Sequence, residues 1–268
     1  MRFKSIRLTG RTTINIAMVG ATPLDKYVVK SIDGLGPSEV DTNLSKVLYQ
    51  GAVLQSAQPQ TRQIVIKVKL NPNYAGGERP DTLRTDLYGI LAANSRASMA
   101  LSLMDGATTK ALTQGVVKNV EPALNDKDNS IQITIDCLSA YLRDSFSTSL
   151  NAASLASSPL INYPGSAPAG FSADVTIGAA ASAWSLSDAE GNGVRVTYPL
   201  QVGDRIIFNT TPGLRSINHR RASTTTNLLG SLQTSHKWIM LYPGNNQLNS
   251  VSTNTWGAFS FLTQYLGV

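Results

Sequence analysis

The chain has 268 residues, enough for two domains that each bury well over half of their unfolded surface, and its single cysteine, Cys137, rules out an internal disulfide. Only 15% of residues are charged and the net charge of +6 is spread along the chain, which leaves no charged tail for nucleic acid; 7% aromatic residues are too few for a base-stacking platform. No run approaches the roughly 18 apolar residues of a membrane span, and the opening MRFKSIRLTG lacks the apolar core of a signal peptide, so neither membrane insertion nor export by a cleaved leader is expected.

The sparse charge, with abundant Ser, Thr, Asn and Gln, suits a surface packed against copies or partners. Free of disulfides, the fold suits assembly in a reducing cytoplasm.

Along the chain, a short apolar pattern from Ile14 to Lys30 breaks at SIDGLGP, residues 31–37, where Gly34, Gly36 and Pro37 predict a turn between strands. Glu39 stands where a GxGxxG motif needs its third glycine, so no phosphate cradle is read there. In RQIVIKVKL, residues 62–70, Ile64, Ile66, Val68 and Leu70 share one face of a half-buried strand, with Gln63, Lys67 and Lys69 opposite and Val65 the outward exception. A helix follows, with Asp81 or Thr82 as N-cap and an apolar stripe of Leu83, Leu87, Ile90 and Leu91 that should cover a sheet. Met99, Leu101 and Leu103 lead to a hairpin turn at Asp105-Gly106, and Ile131, Ile133, Ile135 and Cys137 alternate with polar residues in the last strong strand, with Cys137 turned inward. The first domain, residues 1–145, is therefore expected to be mainly β with one helix.

Residues 146–162, rich in Ser, Ala and Asn, are read as a linker region. From 163 to 268, short strands alternate with turn signals at Pro164-Gly165, Gly191-Asn192-Gly193, Pro212-Gly213 and Pro243-Gly244, the pattern of a β-sandwich or barrel.

No motif carries catalysis. Two histidines, His219 and His236, and one cysteine cannot build a conventional zinc cage; the acidic residues are dispersed; no HExxH, CxxC or GxSxG occurs. Asp188 and Glu190 read as a turn before Gly191, and His219, Arg220 and Arg221 as a solvated face. No catalytic, cofactor or metal residue is assigned, and no enzyme activity is expected. Trp184, Trp238, Trp256 and Tyr242 are candidates for stacking on sugar rings, if exposed; the reading preferred for these aromatics is core.

Several segments in order resemble the distal tail protein (Dit) family of long-tailed bacteriophages: SIDGLGP, Gln50-Gly51, RQIVIKVKL and LYGIL (87–91) in the first half; YPGSAPAGFSADVTI (163–177), GDRIIFNTTPG (203–213) with Leu214-Arg215-Ser216-Ile217, Asn227-Leu228-Leu229, LYPGNNQL (241–248) and a final strand near Trp256 to Phe261 in the second. The resemblance implies an N-terminal belt domain of β-barrel character carrying one helix, and a C-terminal galectin-like β-sandwich. It also implies a structural virion protein of the tail tip: a homohexameric ring joining the tail tube to the tail-tip hub or baseplate, with a channel for DNA passage, assembled in the host cytoplasm. No sugar site or cofactor is implied. A channel that lets DNA slide should not grip phosphate, so Lys67 and Lys69 are not expected both to point freely into it. The alternative function is a carbohydrate-binding baseplate or adhesion module that contacts the host surface.

Overall fold

The computed structural model describes residues 3–10, 12–18, 22, 25–47, 51–94, 98–122, 129–150, 158–251 and 254–268. Gln50, and residues 151–157 of the expected linker, lie outside them. The chain divides into two compact units, Met1–Ser145 together with Tyr265–Val268, and Phe146–Gln264.

The first unit contains β1 (Ser5–Thr9), β2 (Thr13–Ala17), β3 (Tyr27–Asp33), β4 (Val40–Val47), β5 (Gly51–Pro59), β6 (Gln63–Leu70), α1 (Pro80–Asn94), β7 (Met99–Asp105), β8 (Thr108–Pro122), β9 (Ser130–Cys137) and β10 (Leu142–Arg143). Strands β8, β7, β1, β2, β3, β6 and β9 follow one another in a sheet that closes on itself, because β8 pairs with β7 along its first half and with β9 along its second. The hand-over falls on Gly115, which is opposite both Met99 and Cys137. A Cβ there would stand 2.6 Å from Ile135 Cγ2 and 2.8 Å from Asp136 O, so only glycine lets the strand turn this corner. A register shift between Val117 and Asn119 bends β8 further.

Alternation fills the barrel. Ile64, Ile66 and Val68 face Ile135, Ile133 and Ile131 across the β6–β9 ladder, and all six are fully buried. Val65 is half-buried on the other face, and Cys137 points inward. Leu83, Leu87 and Leu91 of α1 join this core, with Ile90 partly buried beside them. The helix starts earlier than the candidate caps Asp81 and Thr82 suggest. Pro80 takes the first helical position, which its fixed φ and missing N–H suit, and Leu83 N–H bonds to Arg79 O; Asp81 instead pairs with Arg84 at 3.0 Å. Strands β4 and β5 lie outside the barrel and form a two-stranded ribbon of their own.

The second unit contains β11 (Thr148–Leu150), β12 (Leu160–Tyr163), β13 (Phe171–Ile177), β14 (Ala181–Asp188), β15 (Gly193–Leu200), β16 (Arg205–Asn209), β17 (Ser216–Arg221), β18 (Thr224–Asn227), β19 (Gly244–Val251) and β20 (Asn254–Phe261). One sheet runs β11-β20-β13-β16-β17-β18 and the other β12-β19-β14-β15, with a shared aromatic core that includes Trp184, Phe171, Phe208, Trp256 and Phe259. Within the stretch read as linker, β11 pairs with β20 and β12 with β19. Strands of three and four residues whose partners lie about a hundred positions away leave no local periodicity to read. A last short strand, β21 (Gln264–Tyr265), lies beside β10.

Candidate interaction surfaces

The Gly/Pro-rich segments of the second half serve packing. Tyr163 is buried, its hydroxyl donates to Ala167 O at 2.8 Å and accepts from Gln264 N–H at 2.7 Å, and a Cβ on Gly165 would stand 2.3 Å from that oxygen. In GDRIIFNTTPG, Ile206 and Phe208 are core, and the buried Thr210 hydroxyl accepts from Phe171 N–H at 2.9 Å. In LYPGNNQL, Leu241 is buried, and the Asn246 amide ties the turn by accepting from Tyr242 N–H at 2.8 Å and donating to Tyr242 O at 2.7 Å.

Of the group read as a solvated face, Arg220 and Arg221 are exposed and His219 is not. His219 is buried on β17, with Nε2 2.9 Å from Asp204 Oδ2, and Arg221, itself exposed like Arg220, binds the same carboxylate through two nitrogens. Asp204 also accepts from Gln201 N–H at 2.8 Å. Arg221 above all holds the Asp204 carboxyl well below the usual carboxylate range, against the opposing effect of burial, with Gln201 N–H and His219 adding to it. The signal was present in the sequence: the alternation that buries Ile217 buries His219 two residues on. Because both side chains are withdrawn from solvent, this is a tie between β17 and the turn before β16, not a reaction site.

The four aromatic candidates separate. Trp184 and Trp256 are each 1% exposed, so the reading of either as a glycan contact is corrected: both are core, Trp184 against Phe208 and Trp256 against Phe259. Trp238 is partly buried, with the Arg215 guanidinium 5.5 Å from its ring centre and the His236 ring edge-on at 6.0 Å. Tyr242 is half exposed and lines a small hollow with Asn245, Asn246 and Gln247. Near His236, a polar cleft of about 320 Å³ is bounded by Ser187, Glu190, Asn192, Arg195 and Lys237. No group of three or more His, Cys, Asp or Glu that could hold a metal occurs among the described residues, and no helix there is long and apolar enough to cross a membrane.

Among the described residues of the first unit, the most exposed apolar strand surface is on the ribbon. Val40, Leu44 and Leu54 are more than half exposed, and Leu44 lies directly opposite Leu54, so the two share a face. A two-stranded ribbon is marginal in water by itself, which makes it an element in want of a cover.

Residues 164–263 match the family described as the siphovirus-type tail component, C-terminal domain. Among solved structures, the Dit protein (gp 19.1) of phage SPP1, presented as a paradigm of the hub adsorption apparatus in Gram-positive infecting phages, aligns with 91% of this chain and 96% of its own, with a TM-score of 0.61 and 13% identity. Chains of the phage P2 baseplate in its activated conformation, with Ca and with Sr, align with 98% of this chain and 99% of theirs at 12% identity, with TM-scores of 0.43 and 0.44. A search of the curated proteins finds no match. A strand-rich unit with one helix, followed by a sandwich that carries the tail-component domain, defines a structural component of phage tails. Residues 164–263 carry that tail-component domain, and the chain as a whole shares the fold of SPP1 Dit along nine-tenths of its length.

Proposed function

We propose that the chain is a structural virion protein of the tail tip that forms a homohexameric ring between the tail tube and the hub or baseplate, and that the ring surrounds a channel through which DNA passes. The barrel unit is the belt that makes the ring, and the sandwich, of galectin-like topology, is the platform for neighbouring tail proteins. The observation that carries this reading is the fold shared with SPP1 Dit over nine-tenths of the chain, together with the tail-component match in the second unit. The exposed ribbon supports it, since head-to-tail ring closure needs one patch to meet a different patch on the next copy. Assembly takes place in the host cytoplasm before the ring is built into the virion.

Light scattering coupled to size exclusion on the full chain tests the ring. A hexamer, single or stacked in pairs, is the expected result; a monomer at every concentration would leave ring closure dependent on a tail partner and count against self-assembly. Lys67 and Lys69, both exposed on β6, are not a grip on DNA in this reading, so the assembled protein should bind duplex DNA weakly.

A second reading, a carbohydrate-binding module contacting the host surface, draws on Trp238, on Tyr242 with its hollow, and on the polar cleft beside His236. Binding on a glycan array would favour it.

A further inference from the structure

Arg62 is 3% exposed, and none of the ion pairs among the described residues includes it. Its guanidinium is satisfied by carbonyl oxygens instead. Nη1 donates to Gly34 O and Gly36 O at 2.7 Å each, Nη2 to Ala140 O at 3.1 Å and to Leu266 O, and Nε to Ala140 O at 3.3 Å. Those carbonyls come from three distant stretches of the first unit: the turn after β3, the turn after β9, and the segment Tyr265–Val268.

That last segment is fitted closely to its seat. Val268 N–H donates to Leu35 O at 3.0 Å, and a Cβ on Gly267 would stand 2.8 Å from Gly36 C and Leu35 O. The Tyr265 hydroxyl reaches the Asp144 carboxylate at 3.2 Å, and Tyr265 and Val268 pack on the barrel core. The same turn carries the root of the ribbon. Ser38 Oγ donates to Ala140 O at 2.7 Å, Gln60 N–H donates to Glu39 O at 2.8 Å, β4 begins at Val40, and β5 ends three residues before Arg62.

We propose that Leu266–Val268 is a strap, locked by the Arg62 guanidinium, that fixes the root of the β4–β5 ribbon and so sets how the ribbon is presented. A buried cation with only neutral partners depends on every one of them, and removal of Leu266 leaves one Nη2 N–H without its carbonyl acceptor. The ribbon, whose two strands pair only with each other, takes its order from its root. The strap lies within the first unit and does not depend on whether six copies form a ring.

Hydrogen exchange by mass spectrometry on the full chain, on a chain lacking Leu266–Val268, and on Arg62→Lys tests this, with all three compared in the same oligomeric state. The strap predicts at least tenfold faster exchange in residues 34–60 of both variants, with β6, β7, β9 and the second unit at wild-type rates. Unchanged exchange in residues 34–60 of the shortened chain would overturn it. So would equal acceleration through the whole barrel, which would make the segment a general stabiliser and not a hold on the ribbon. The shortened chain keeps every barrel strand and keeps the test decisive if Arg62→Lys fails to fold.

Discussion

Arg221 grips Asp204 along both edges of the carboxylate, Nε to Oδ1 at 2.9 Å and Nη2 to Oδ2 at 2.7 Å, while Asp204 itself is 2% exposed. The arginine is about two-fifths exposed, so only one end of the pair has left water. Since folding depresses the Asp204 pKa, its contribution to stability is fully present above the unfolded carboxylate value near 3.9 and is lost as pH falls below it towards the folded value. Asp204→Asn should therefore lower the stability of the second unit at pH 7 by about 3 kcal/mol. It should also flatten the loss of stability between about pH 4 and pH 2, where the one proton taken up on unfolding contributes at most about 1.4 kcal/mol per pH unit. All three tryptophans lie in the second unit, so urea titrations followed by tryptophan fluorescence across pH report on that unit alone.

Gly34 and Gly36 make a matched pair. Gly34 has φ of +86°, and a Cβ there would stand 2.0 Å from Gln63 O, a backbone atom that cannot move aside. A Cβ on Gly36 meets nothing within 4 Å. Gly34→Ala should cost more than about 3 kcal/mol, or abolish folding of the first unit, whereas Gly36→Ala should stay within about 0.5 kcal/mol of wild type. Thermal unfolding followed by circular dichroism checks both, and equal effects of the two substitutions would contradict this geometry.

The aromatic residues of the second unit divide into two experimental classes. Trp184→Ala and Trp256→Ala each remove a fully buried ring and should cost about 3–5 kcal/mol in denaturant unfolding. Trp238→Ala and Tyr242→Ala should each cost about 1 kcal/mol or less, because these rings are partly solvated. Should a glycan array return a ligand, it is the second pair alone whose replacement should weaken binding without unfolding the protein.

Strand periodicity made much of the barrel legible. Ile64 to Leu70 and Ile131 to Cys137 alternate strictly, and both runs are walls of the core. The same parity, followed one step back, places Arg62 on the inner face, and on β17 it places His219 beside Ile217. A charged or titratable residue on the buried register is the signal that a local partner set must exist, yet the partners, Leu266 for Arg62 and Asp204 for His219, are set by tertiary contacts that no spacing rule reaches. Likewise β11 and β12 are too short to announce themselves, and Trp184 and Trp238 differ in burial because of what packs on them, which residue type alone does not disclose.

The ribbon offers the sharpest test of assembly. Leu44 and Leu54 sit opposite one another on an exposed pair of strands, so replacing both with Ser removes apolar surface that the isolated subunit does not bury. The double variant should match wild type within about 0.5 kcal/mol in unfolding, while its mass in solution shifts from the assembled species towards the single chain. Surface loss with no loss of fold is what separates an interface from a core, and the combination is measurable by pairing light scattering with circular dichroism on the same sample. If the double variant assembles as wild type does, the contact between copies runs through other elements of the first unit, and the sheet edges would be tested next.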